Sequence, residues 1–138
     1  MKITQETDYA LRIILYLCKL NEGTKLDAKT LAEKEMVPIR FLLKILRKLT
    51  HGGIINSFRG VKGGYTLALK PEKITLRMIM EIIDGPIYVA KCLSNNNNCN
   101  ANRSPRCEMH VALNKVQRTL TNELDSINFR DILDGKIK

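Results

Sequence analysis

The chain has 138 residues, 44% of them hydrophobic, which supports one domain with a real core and leaves a second independent domain cramped. Lysine and arginine outnumber aspartate and glutamate by 23 to 14, and the excess is uneven: residues 1–70 carry 13 basic and 6 acidic side chains, residues 71–138 carry 10 and 8. Such a field attracts polyanions, nucleic acid or an anionic membrane, but the first apolar run, Ile13 to Cys18, is too short to span a bilayer, and Glu6, Asp8 and Arg12 argue against a secretory signal.

In chain order, Thr4 is placed to cap a helix whose Ala10, Ile13, Ile14, Leu17 and Leu20 recur at helical spacing and which Asn21 to Gly23 ends. Cys18 lies beside that stripe and reads as a small core residue. Asp27 caps a short second helix through Leu31 and Ala32; Met36 and Val37 make a tight turn, and Pro38 stands at a favoured first helical position. The third helix runs to about His51 with Leu42, Ile45, Leu46 and Leu49 inward, and Gly52 and Gly53 stop it. Ile54 to Phe58 and Tyr65 to Leu69 favour extended structure, and the link from Arg59 to Gly64 folds them into a hairpin with a basic tip.

Thr75 caps a further helix with Leu76, Ile79, Met80 and Ile83 inward, closed by Asp84-Gly85-Pro86. Residues 91–106 are polar and turn-forming, with four consecutive asparagines. Ser104-Pro105 then reads as the start of a long helix on which Met109, Leu113, Val116, Leu120, Leu124 and Ile127 form a narrow apolar seam. Few other helices remain to cover that seam, so a homodimer is expected. The division is a winged helix-turn-helix over 1–70, a connecting helix and turn over 71–91, a cysteine loop over 92–107 and a dimerisation helix over 105–128. The fold class is mainly α with a small β-hairpin wing.

Between Pro38 and Lys62 stand six basic residues, Arg40, Lys44, Arg47, Lys48, Arg59 and Lys62, and no acidic one. Arg40, Lys44 and Arg47 follow i, i+4 and i+7 on one exposed side, with Lys48 at its edge. On an isolated helix this would be a solvated stripe. On the second helix of a helix-turn-helix, followed by a basic hairpin, it suits double-stranded DNA: the helix fits the major groove and the hairpin tip reaches the adjacent minor groove. Lys44, Arg47 and Lys48 are expected on phosphates, Arg40 at base edges and Arg59 in the minor groove. Ile39 and Leu43 either meet thymine methyls or pack at the edge of the core, and His51 reads as a phosphate or carbonyl partner. Nothing suggests a substrate pocket with paired acid and base, so no enzyme is expected.

The run from Pro38 to Leu42, Lys44-Ile45-Leu46 with Leu49, Arg59-Gly60 with Gly63-Gly64-Tyr65, and the opening Thr7-Asp8-Tyr9-Ala10-Leu11-Arg12 resemble the bacterial IscR/NsrR/CymR (Rrf-two) family over nearly the whole chain. The resemblance implies a dimeric transcription regulator, usually a repressor, with a long C-terminal dimerisation helix.

A cytoplasmic location is expected, where thiols stay reduced. Cys92, Cys99 and Cys107 are spaced C-x6-C-x7-C, with His110 three residues on. These gaps exceed those of common zinc sites, and Cys107 falls in the first turn of the predicted helix, where the dipole favours a thiolate. Three soft thiolates suit an iron–sulfur cluster, 2Fe–2S or 4Fe–4S, with a fourth ligand from elsewhere; zinc or thiol–disulfide sensing is the alternative. The loop is similar to that of the family's sensor members, which implies either His110 or Asp8 of the partner subunit as the fourth ligand. The loop would then set the separation of the two recognition helices, in answer to iron, oxygen or nitric oxide.

Overall fold

The computed structural model describes residues 2–95 and 98–138, so two of the four asparagines, Asn96 and Asn97, lie outside the described residues. The first two helices each begin where a side chain satisfies a free N–H group. Thr4 accepts from Thr7 N at 3.2 Å to open α1 (Gln5–Lys19), and Asp27 accepts from Thr30 N to open α2 (Ala28–Glu35). The Thr30 hydroxyl bonded to the Asp27 carboxylate holds that acid below its ordinary pKa. Met36 then turns the chain in a left-handed conformation, and Val37 is buried beneath the turn. Pro38 is one residue earlier than expected: its ψ of 133° is extended, so it caps α3 (Ile39–His51) from outside. Leu42, Ile45, Leu46 and Leu49 of α3 are all fully buried against α1 and α2, as the helical period requires.

The wing is an antiparallel pair, β1 (Ile55–Phe58) and β2 (Gly64–Leu67), registered Ile55 to Leu67 and Phe58 to Gly64. It is not free-standing. Leu26, just before α2, exchanges both backbone hydrogen bonds with Tyr65, at 3.1 and 2.8 Å. A Cβ on Gly64 would stand 2.8 Å from the Leu26 carbonyl oxygen, so the approach that makes this bridge requires glycine. Thr75 caps α4 (Leu76–Asp84) as expected, accepting from Met78 N at 3.2 Å.

The long helix differs from expectation at both ends. It starts at Glu108, not at Ser104-Pro105, and α5 (Glu108–Ser126) has Cys107 as its cap. It stops before Ile127, where the backbone turns extended and Asn128 caps a further helix, α6 (Phe129–Leu133). That returning segment is stitched to the start of α4: Leu76 N–H donates to Ile127 O at 3.0 Å, and Phe129 N–H to Ile74 O at 3.0 Å. Phe129 is 1% exposed and fills the core from the C-terminal side. The seam therefore splits. Leu113, Leu120 and Leu124 are half-buried, while Met109 and Val116 are exposed. Among the described residues no helix is long and apolar enough to cross a membrane.

Cys18 is buried in the core, and burial pushes its thiol up to about 11. A group held neutral in this way adds stability that is complete below its ordinary value of 9.0 and lost as pH rises through about 11. A thiol reagent at pH 8 is expected to titrate Cys92, Cys99 and Cys107 in the native protein and Cys18 only after denaturation. Urea unfolding of Phe129→Ala should show a loss of about 3–5 kcal/mol, the usual cost of emptying a buried phenylalanine site.

Candidate nucleic-acid interface and cysteine loop

With one face of α3 committed to the core, the opposite face carries Arg40, Lys44 and Arg47 into solvent, and His51 continues the row at the C-terminal end. Arg59 and Lys62 are exposed at the wing tip, with fully exposed Val61 between them. The tip closes through Gly63 N–H donating to Gly60 O at 2.9 Å, and a Cβ on Gly63 would collide with the Phe58 carbonyl oxygen at 2.3 Å. Sequence reading overlooked Lys25. Its ammonium lies 4.2 Å from the centre of the Phe58 ring, which adds a cation beside the wing. No motif marks it, because Leu26 and Tyr65 meet only in three dimensions.

Lys48, expected on a phosphate, is engaged within the fold in the free protein. Its ammonium is 2.9 Å from the Glu6 carboxylate of α1 and donates to the Ile83 carbonyl near the end of α4 at 3.1 Å. Glu6 is largely buried, and Lys44, more exposed, is 3.7 Å from the same carboxylate. Lys48 thus clasps α3 to α1 and α4. A neighbouring cluster fixes the other side of α3: Phe41 meets the Tyr9 ring edge-on at 6.1 Å, and the Arg12 guanidinium lies 5.2 Å from the Tyr9 centre. Arg12 also donates to the Glu35 carbonyl and pairs with Glu35 and Asp8.

The segment that leads into the cysteine loop is tied to the same framework. Asp84 accepts from Thr4 at 2.9 Å and from buried Thr7 at 2.6 Å. The Gln117 side chain of α5 accepts from Val89 N at 2.7 Å and donates to the Ile87 carbonyl. Loop entry, α3 and the long helix are therefore linked by polar contacts rather than by apolar packing alone.

Within the loop, Cys92 sits half-buried in a single helical turn, Lys91–Leu93. The Cys99 sulfur accepts from Arg103 N at 3.4 Å. Hydrogen bonds from the backbone N–H groups of Arg103, Ala101 and Ser104 hold the Cys99 thiol below its ordinary pKa. The N–H groups of a turn thus favour the thiolate at Cys99, and Cys107 stands at the cap of α5, one position before its first turn. His110 Nδ1 is 2.8 Å from the Ser104 hydroxyl, which orients the ring. Asp8 is on α1, paired with Arg12 at 3.5 Å. The donor types fit a thiolate-bound iron–sulfur group, with one sulfur already surrounded by N–H donors. Their positions are not gathered: among the described residues no three of His, Cys, Asp or Glu stand close enough to share a metal ion.

Comparisons with known proteins agree with one another. The Rrf2 family model, described as an iron-dependent transcriptional regulator, matches residues 3–135. The transcriptional regulator NsrR of Bacillus subtilis is 28% identical over 136 residues, covering 99% of this chain and 92% of its own. The solved structure of CymR, the global cysteine regulator of B. subtilis, superposes with a TM-score of 0.68 at 26% identity, covering 96% of this chain and 95% of that one. IscR of T. potens shares the fold, with a TM-score of 0.73 at 21% identity over 99% of this chain and 89% of its own.

The two basic side chains at the C-terminal end of α3 should behave differently when truncated. Arg47→Ala is expected to reduce the slope of log K against log salt for DNA binding by about 1, with its melting temperature unchanged. Lys48→Ala, which strands the Glu6 carboxylate, should lower the melting temperature by several degrees. Thermal melting and salt titrations of both variants check this pair.

Proposed function

Because the chain belongs to the Rrf2 family of iron-dependent transcriptional regulators, it is a DNA-binding regulator of transcription and not an enzyme, and we propose that it acts as a homodimeric repressor controlled through its cysteine loop. The observation that carries this reading is the single exposed face on which α3 presents Arg40, Lys44 and Arg47 beside a wing carrying Arg59 and Lys62. Residues 1–70 serve as the DNA-binding part, 71–91 as the connection, 92–107 as the sensor loop and the helix that follows as the dimer seam. Met109 and Val116, exposed on α5, supply the apolar surface that a second copy covers.

On the duplex, Arg40 enters the major groove from the first turn of α3 and donates to base edges, a guanine pair being its best match. Lys44 and Arg47 neutralise phosphates, and Arg59 enters the minor groove, where a narrow width strengthens the negative potential. Cys92, Cys99 and Cys107 are the ligands of an iron–sulfur group, 2Fe–2S or 4Fe–4S, completed by His110 or by Asp8 of the partner subunit; when bound, that group supplies a fixed crosslink between distant loop positions. The chain's own contacts carry the consequence. Asp84 joins the loop entry to Thr4 and Thr7 of α1, Lys48 joins α3 to the end of α4, and Gln117 joins the loop entry to α5. A change in loop shape moves the recognition helices of a dimer relative to each other, and half-sites on DNA have a fixed spacing. The protein works in the cytoplasm, where the loop thiols stay reduced.

Operator duplexes selected from random DNA test the first part. Arg40→Ala and Arg59→Ala are each expected to weaken binding by roughly 5- to 100-fold, and unaltered affinity in both would remove the assigned contacts. Protein purified without oxygen tests the second part. A brown sample with stoichiometric iron and sulfide, lost in Cys92→Ala, Cys99→Ala and Cys107→Ala, is the expected result. A colourless sample without iron or sulfide would leave the DNA contacts standing and move the loop to zinc or thiol chemistry.

A further inference from the structure

Three large apolar side chains stand in solvent on the N-terminal half of α3: Ile39 is 45% exposed, Phe41 46% and Leu43 44%. Phe41 is accounted for by its edge-on contact with Tyr9. Ile39 and Leu43 are not. They are one turn apart and form a short apolar row directly beside the row of Arg40, Lys44 and Arg47. Neither belongs to the buried side of the helix, so core packing does not explain them. Apolar groups gathered on an otherwise basic face mark a surface that is covered in use.

The charge around the row identifies what covers it. Arg40, Lys44 and Arg47 adjoin it on the same helix, and Arg59, Lys62 and Lys25 stand on the wing side, so the occupant is a polyanion. On the floor of a DNA major groove the apolar feature is the C5 methyl group of thymine. We propose that Ile39 and Leu43 are specificity-determining residues that pack on thymine methyl groups beside the base contacted by Arg40. This rests on the DNA-binding reading above and adds a sequence requirement to it: each half-site carries thymine within a base pair or two of the Arg40 contact. The same apolar row offers nothing to the polar N4 amino group of cytosine in that position, so a T-to-C change loses the contact and buries an unpaired donor.

The test uses the full-length protein and duplexes it selects from random DNA. Each thymine of the selected site is replaced in turn by uracil, which lacks only the methyl group, and Kd is measured by fluorescence anisotropy at one salt concentration. One or two uracils per half-site are expected to weaken binding about three- to fivefold, the effect of one buried methyl-sized group. At those positions Ile39→Ala or Leu43→Ala should bind thymine and uracil duplexes alike, whereas Arg47→Ala should lose affinity and keep the thymine preference. The proposal is overturned if every uracil duplex binds like its parent, or if the preference survives in both alanine variants. The uracil series needs no variant, so a poorly folded mutant does not blunt it. Failure to enrich any duplex would instead remove the DNA-binding reading itself, and this contact with it.

Discussion

Everything functional about this chain depends on how one thirteen-residue helix is held. Leu42, Ile45, Leu46 and Leu49 of α3 are fully buried against the first two helices, and the 3.6-residue period then leaves the remaining side chains no choice of direction. Apolar burial of this kind is strong but non-directional. The rotation of the helix about its axis is pinned by directional contacts at its two ends: the edge-on ring contact of Phe41 with Tyr9 near the start, and the polar contacts of Lys48 with Glu6 and the Ile83 carbonyl near the finish. A basic residue is well suited to the second task. Its long stem packs along the helix while its head satisfies a largely buried carboxylate and a helix-end carbonyl.

The cysteine loop follows a different logic. It has little apolar surface to bury, and its local order comes from turns whose N–H groups surround the Cys99 sulfur. Electrostatics of this kind organise one ligand at a time. A metal-binding loop need not be preformed, because the free energy of binding itself supplies the ordering. A well-packed helix-turn-helix beside a loop ordered locally by turns suits the proposed division of labour, in which one part keeps its shape while the other responds.

Much of this was legible in the residues. The four inward positions of α3, the caps Thr4, Asp27 and Thr75 and the glycine-rich hairpin all carry local signals, and local signals survive folding. What was misplaced depended on contacts between distant segments. Pro105 resembled a helix start, but the helix waits until Glu108. The final helix was missed although Asn128 and Asp131 spell a cap, because the apolar period runs on through Ile127 and hides the break. The internal contacts of Lys48 carry no local signal at all, because only the fold brings Glu6 and Ile83 to it. The spacing of the three sulfurs and His110 groups them as one candidate ligand set, and the fold spreads that set from the turn at Cys92, through Cys99, to the cap and first turn of α5, ungathered among the described residues.

One consequence follows from the way the wing is attached. Two backbone hydrogen bonds tie Tyr65 to Leu26, and Ile54 is bonded both to the end of α3 and to Ala68, so the hairpin and the recognition helix belong to one solid piece. In the proposed complex the groups that these two elements touch would be held at a set distance. The double helix would then supply the adjustment through its twist and the width of its grooves, at an energy that depends on the sequence of base pairs lying between the contacts. Positions that no side chain reaches would carry information in that complex, and the torsional state of the DNA would enter its affinity.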